Sequence, residues 1–62
     1  MNLKEMREKS GMSQSQLSRT AGVNIRTIQS YEQGIKDINR AQVGIVLKLA
    51  KALGCSIEDL ID

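Results

Sequence analysis

The stretch that decides the fold is QSQLSRTAGVNIRTIQSYEQ, running from Gln14 to Gln33. Its first half puts Leu17 and Ala21 on one face of a helix spanning Gln14 to Ala21, and the run stops at Gly22. Ser13 precedes it and Gln16 follows at the spacing of a capping box. The second half opens at Asn24, a good N-cap behind the apolar Val23, and runs to about Gln33 with Ile28 and Tyr31 turned inward and Gly34 after it. Two short helices therefore meet across a turn at Gly22 and Val23. A steep crossing needs a small residue on the first helix (Ser18), a glycine able to take positive φ (Gly22) and apolar residues at the internal angle. Leu17, Ala21, Val23, Ile28 and Tyr31 supply the last.

Outward from this pair, glycine keeps punctuating the chain, at positions 11, 34 and 54. Asn2 with Glu5 opens a first helix that carries Leu3, Met6 and Arg7 and ends at Gly11, after which Met12 turns inward. Residues 35–38 read as a connection. Asn39 with Gln42 is expected to cap a fourth helix over about 40–53, with Ala41, Ile45, Val46, Leu49, Ala50 and Leu53 at core-compatible spacing. Ser56 with Asp59 is expected to open a short fifth helix that buries Ile57, Leu60 and Ile61. No stretch alternates with period two and no hairpin dipeptide occurs, so strands are disfavoured. The expectation is an all-α, compact five-helix domain spanning residues 1–62, either free-standing or cut from a longer protein.

Composition narrows the possible functions. The chain has 62 residues, no His and a single Cys, Cys55. A domain of that size buries only about 60% of the surface its unfolded chain exposes, which leaves no room for a second core. Without His, neither a Ser/His/Asp triad nor a Cys/His pair can form, and one Cys with scattered carboxylates makes no zinc set, so the expectation is no enzyme, no metal and no cofactor. One Cys cannot close an internal disulfide, which fits a reducing cytoplasm, and Cys55 reads as a small apolar filler. The longest apolar run is Ile45-Val46-Leu47, far short of the roughly 20 residues that span a bilayer. No membrane partner and no small-molecule substrate are implied.

The charge is less even than the net +2 suggests. Residues 1–53 carry all nine basic side chains against Glu5, Glu8, Glu32 and Asp37, whereas Glu58, Asp59 and Asp62 close the chain without a base. Between Ser13 and Ser30 there are two bases, Arg19 and Arg26, and no acid.

Two helices held at a steep angle let the second enter a DNA major groove about 12 Å wide while the first lies across the backbone. The outward face of the second helix carries Ile25, Arg26, Gln29 and Ser30, which become candidate base readers. Arg suits guanine O6 and N7, Gln suits adenine N6 and N7, and an exposed Ile suits the thymine methyl. Ser13 and Gln14, at the positive end of the first helix, are candidate phosphate contacts, with Asn24 and Thr27 near the start of the second and Gln33, Lys36 and Arg40 on the far side. Lys9, Arg19, Lys48 and Lys51 read as solvated charges, and Tyr31 as core.

The chain resembles the Cro/repressor-type, lambda-repressor-like (XRE-type) helix-turn-helix domains. The resemblance rests on Leu3, Arg7 and the run Gly11-Met12-Ser13-Gln14-Ser15-Gln16-Leu17 through Gly22-Val23. It continues in Ile28 with Tyr31-Glu32-Gln33-Gly34, and in Leu49-Ala50-Lys51-Ala52-Leu53-Gly54 with Leu60. It implies a five-helix domain that binds double-stranded operator DNA, usually as a dimer, and represses transcription. It also implies that Gln14 anchors the DNA backbone, that Ile25, Arg26 and Ser30 read bases, and that Arg7 and Glu32 form an internal ion pair. The segment between Gly34 and Gly54 is longer than the family's commonest spacing, Ser18 stands where Ala is commoner, and Ile25 stands where the reader is frequently polar.

The expected fourth helix is apolar almost all round, because Val43 and Leu47 lie off its core-facing stripe; Ile35 and Ile38, the last helix, or a second subunit could cover them. A homodimer with a seam at Val43 and Leu47 is one expectation. Two other roles suit the same fold. An antitoxin of a toxin–antitoxin pair would be distinguished by a neighbouring toxin gene. A protein-interaction module without DNA binding calls for an acidic or apolar second-helix face, which Arg26, Gln29 and Ser30 do not make.

Overall fold

Helix starts in this chain are decided by side chains that take up free amides. Asn2 Oδ1 accepts from the Glu5 amide at 2.9 Å, Ser13 Oγ accepts from the Gln16 amide at 3.0 Å, and Asn24 Oδ1 accepts from the Arg26 amide at 2.8 Å. At Ser13 the box is reciprocal, since Gln16 Oε1 accepts from the Ser13 amide at 2.8 Å. The computed structural model describes residues 2–61. It holds four α-helices, α1 (Leu3–Lys9), α2 (Gln14–Ala21), α3 (Ile25–Glu32) and α4 (Val43–Leu53), with 3-10 turns at Ile38–Arg40 and Ile57–Asp59. No strand occurs among the described residues.

The turn between α2 and α3 forms as its residues require. Gly22 takes φ 70° and ψ 33°, a left-handed conformation in which its amide reaches the Ser18 carbonyl at 2.9 Å. Ser18, being small, also turns its hydroxyl back to donate to the Val23 carbonyl at 2.6 Å. The apolar side chains at the corner then close over one another. Leu17 and Ile28 are fully buried, and Val23 is buried beside them with Leu3, Val46, Leu49, Ala50 and Leu60. Ala21 and Tyr31 pack at the edge of this core. Helix α2 lies against both α3 and α4, α1 against α3, and α4 against the last turn.

Two expectations fail at helix ends. The fourth helix begins at Val43 and not at 40. Asp37 accepts from the backbone and side-chain amides of Asn39, both at 3.0 Å, and so caps a 3-10 turn. That turn packs Ile38 against the core, after which Ala41 and Gln42 run extended into α4. Asn39 is thus inside a turn, and Gln42, the actual N-cap, makes no side-chain cap bond. The expected fifth helix is a single 3-10 turn, so the described residues contain four helices and not five. Ser56 and Asp59 close their box across Ile57 and Glu58. The i, i+3 repeat of a 3-10 turn puts Ile57 and Leu60 on one side, where Leu60 is 1% exposed.

Outside the core, Ile35 is 73% exposed, Val43 72% and Leu47 42%. Ile38 turns in but Ile35 does not, so the α3–α4 connection leaves the outer face of α4 uncovered. No helix among the described residues is long and apolar enough to cross a membrane.

Candidate nucleic-acid interface

Helix α3 divides its residues between core and surface. Ile28 points inward, while Asn24, Arg26 and Gln33 are exposed and Ile25, Thr27, Gln29 and Ser30 are half-buried. The amide of Arg26 is held by Asn24, and its guanidinium makes no hydrogen bond or ion pair among the described residues. The expected base readers therefore share the outer side of one helix. The candidate backbone contacts divide into two sets. Ser13 and Gln14 sit at the start of α2 beside α3, whereas Lys36 lies in the α3–α4 connection and Arg40 ends the 3-10 turn, both exposed.

At the start of α2 the capping box uses the Ser13 and Gln16 amides. The amides of Gln14 and Ser15 have no carbonyl within the helix to bond and face outward at the positive end of its dipole. The Ser13 hydroxyl accepts from Gln16 and keeps its own proton to donate.

The ion pair expected between Arg7 and Glu32 is present and joins α1 to the end of α3. Arg7 Nε donates to Glu32 Oε2 at 2.7 Å and Nη2 to Oε1 at 2.9 Å, while Nη1 donates to the Met12 carbonyl at 2.8 Å. The side chains are 12% and 3% exposed. Burial pushes the Glu32 carboxyl up, but hydrogen bonds from Arg7 and Gln14 and the charges of Arg7 and Lys4 outweigh it, leaving Glu32 below its ordinary value. The hydrogen bond to Glu32 outweighs burial to raise Arg7. Glu32, the acid nearest the α2–α3 face in sequence, is thus neutralised inside the fold.

Sequence reasoning missed what lies beyond that pair. Gln14 Nε2 donates to Glu32 Oε1 at 3.1 Å, and Gln14 Oε1 accepts from Gln29 Nε2 at 3.3 Å. Four side chains from three helices form one chain, Arg7–Glu32–Gln14–Gln29. The signal was available: Gln29 and Glu32 lie three apart on α3 and share a face, so a residue placed beside Glu32 also reaches Gln29.

A helix-turn-helix family model matches residues 3–60. The chain belongs to the lambda-repressor-like, XRE-type helix-turn-helix family. No curated protein matches it in sequence at a significant level. Membership makes this a DNA-binding helix-turn-helix domain of the transcription-regulator type. Among the described residues, no group of His, Cys, Asp and Glu is placed to hold a metal ion.

Proposed function

We propose that this domain binds double-stranded DNA sequence-specifically and acts as a repressor-type regulator, with α3 in the major groove and the start of α2 against the backbone. The observation that carries the proposal is the outer side of α3 and the α2 terminus beside it. Arg26 stands exposed there beside the half-buried Ile25, Gln29 and Ser30, and Glu32, the acid of α3, is occupied by Arg7. Ser13, Gln14, Asn24 and Thr27 contact phosphates next to the readers, and Gln33, Lys36 and Arg40 contact them farther along. The domain binds as a homodimer, with Val43 and Leu47 at the seam. Their exposed apolar side chains support this, and two copies would set two recognition helices about 34 Å apart, one turn of DNA.

The test is selection of bound duplexes from a random pool, followed by measurement of the winner's salt dependence. The expected result is an enriched palindrome whose binding falls with salt at a slope of about −0.9 per phosphate neutralised, for roughly four to six phosphates per subunit. Enrichment of no sequence refutes specific readout, and a single unpaired site refutes the dimer.

A further inference from the structure

Gln29 sits at the end of a chain of hydrogen bonds whose direction is not free. An ionised carboxylate only accepts, and Glu32 receives Arg7 Nε at 2.7 Å, Arg7 Nη2 at 2.9 Å and Gln14 Nε2 at 3.1 Å. The two ends of a glutamine amide are alike in shape and opposite in chemistry. Glu32 selects the nitrogen end of Gln14, so the oxygen end faces Gln29 and takes its Nε2 at 3.3 Å. Were the Gln29 amide turned over, two carbonyl oxygens would face each other.

We propose that Glu32, acting through Gln14, fixes the donor–acceptor sense in which Gln29 meets a base, making Gln14 a positioning residue for adenine specificity. The inference rests on α3 entering the major groove. In the fixed sense Gln29 has one N–H committed to Gln14, while its second N–H and its carbonyl oxygen are free. Those two groups match adenine, whose N7 accepts and whose N6 amino group donates. Guanine offers N7 and O6, both acceptors, so the carbonyl oxygen of Gln29 opposes O6. A Gln29 amide free to turn over would present its NH2 group to guanine as readily, and the discrimination would shrink. Gln14 keeps a second N–H of its own, so a phosphate contact and this positioning role are compatible.

The experiment measures affinity for the selected duplex and all its single-base variants, for the wild-type domain and for Gln14→Ala, Gln14→Met, Gln29→Ala and Gln14→Ala/Gln29→Ala. Gln14→Met keeps the length and apolar stem, and melting of each variant followed by circular dichroism establishes that it is folded. The expected result is that Gln29→Ala flattens preference for adenine at one base pair by about 5- to 140-fold. Both Gln14 variants then flatten the same base pair, and the double substitution flattens it no further than Gln29→Ala alone. If the Gln14 variants weaken the selected duplex and its variants equally while Gln29→Ala flattens one pair, the positioning role is overturned and groove reading by α3 stands. If Gln29→Ala flattens no pair, the role is likewise overturned. If no duplex is enriched at all, the inference falls together with the proposed function.

Discussion

Replacing Arg7 by Ala should remove about a third or more of the domain's folding stability, although the substitution lies at the margin of the core. The guanidinium makes three hydrogen bonds, two to Glu32 at 2.7 and 2.9 Å and one to the Met12 carbonyl at 2.8 Å. Removing it strands a carboxylate that is 3% exposed and left with Gln14 as donor. Stranding one partner of a buried pair costs about 3–5 kcal/mol, against about 0.2–1 kcal/mol for an exposed pair. At about 0.05–0.15 kcal/mol per residue, the whole domain has about 3–9 kcal/mol to lose. The expected fall in Tm exceeds about 12 °C. Urea titrations followed by circular dichroism at pH 7 and pH 5 measure the cost and its cause. In the wild type the Glu32 carboxyl is depressed, so its contribution is present above the ordinary value of 4.5 and is lost as pH falls through the lower folded value. In Arg7→Ala, burial dominates and moves the carboxyl up, so the variant gains stability between pH 7 and pH 5 where the wild type does not. A cost below about 1 kcal/mol, or parallel pH slopes for the two proteins, would refute the assignment of a buried, mutually dependent pair.

Two glycines with open space around the missing Cβ should respond in opposite directions. Gly22→Ala, at φ 70°, should destabilise by about 1–2 kcal/mol, whereas Gly44→Ala, inside α4, should stabilise by about 0.5–1 kcal/mol; denaturant midpoints that move the same way refute the backbone argument. Arg26→Ala should cost about 1–3 kcal/mol on a selected duplex and relax preference at one base pair, and unchanged affinity and preference in a gel-shift series sink its role as a reader. Leu47→Lys should shift sedimentation of the free domain toward monomer and weaken binding to a palindrome more than to a half-site. An unaltered sedimentation profile puts the seam elsewhere.

The α2–α3 corner was legible because its signals are local and agree with one another. Ser13, Gln16, Gly22, Asn24 and the apolar positions between them each demand the geometry that the others allow, so capping, turn and core align without long-range information. The segment 35–42 was not, because two caps competed there. Asn39 with Gln42 has the form of a helix start, but Asp37 reaches Asn39 first and a 3-10 turn brings Ile38 to the core. Which cap wins depends on packing Ile38 against the core, a tertiary term that capping patterns do not contain. The last turn failed as a helix for a related reason: docking Leu60 against α4 requires only three residues of turn. At the interface, side-chain types and their helix faces could be read, but hydrogen-bond direction could not. The link from Gln14 to Gln29 depends on where α1 delivers Arg7, and hence on packing between helices far apart in sequence.

That link also separates the candidate contacts by what binding costs them. Immobilising a flexible side chain at an interface costs about 0.5–1.5 kcal/mol. Gln14 and Gln29 are half-buried and already bonded to each other, and Gln14 is anchored on a carboxylate that Arg7 holds rigid, so much of that cost is met on folding. Lys36 and Arg40 are exposed on irregular segments and meet it in full on contact. Base discrimination should therefore concentrate at the ordered end of the interface, on α3 beside α2, where a mismatched base meets groups that cannot turn to accommodate it. The connection and 3-10 turn should contribute salt-dependent affinity that barely distinguishes sequences, because mobile cations track phosphates whatever bases lie between. The same ordering explains why the network begins in an ion pair buried between helices. A carboxylate exposed to water would turn freely and repel DNA, whereas one neutralised by Arg7 can orient Gln14 without adding a negative charge to the interface.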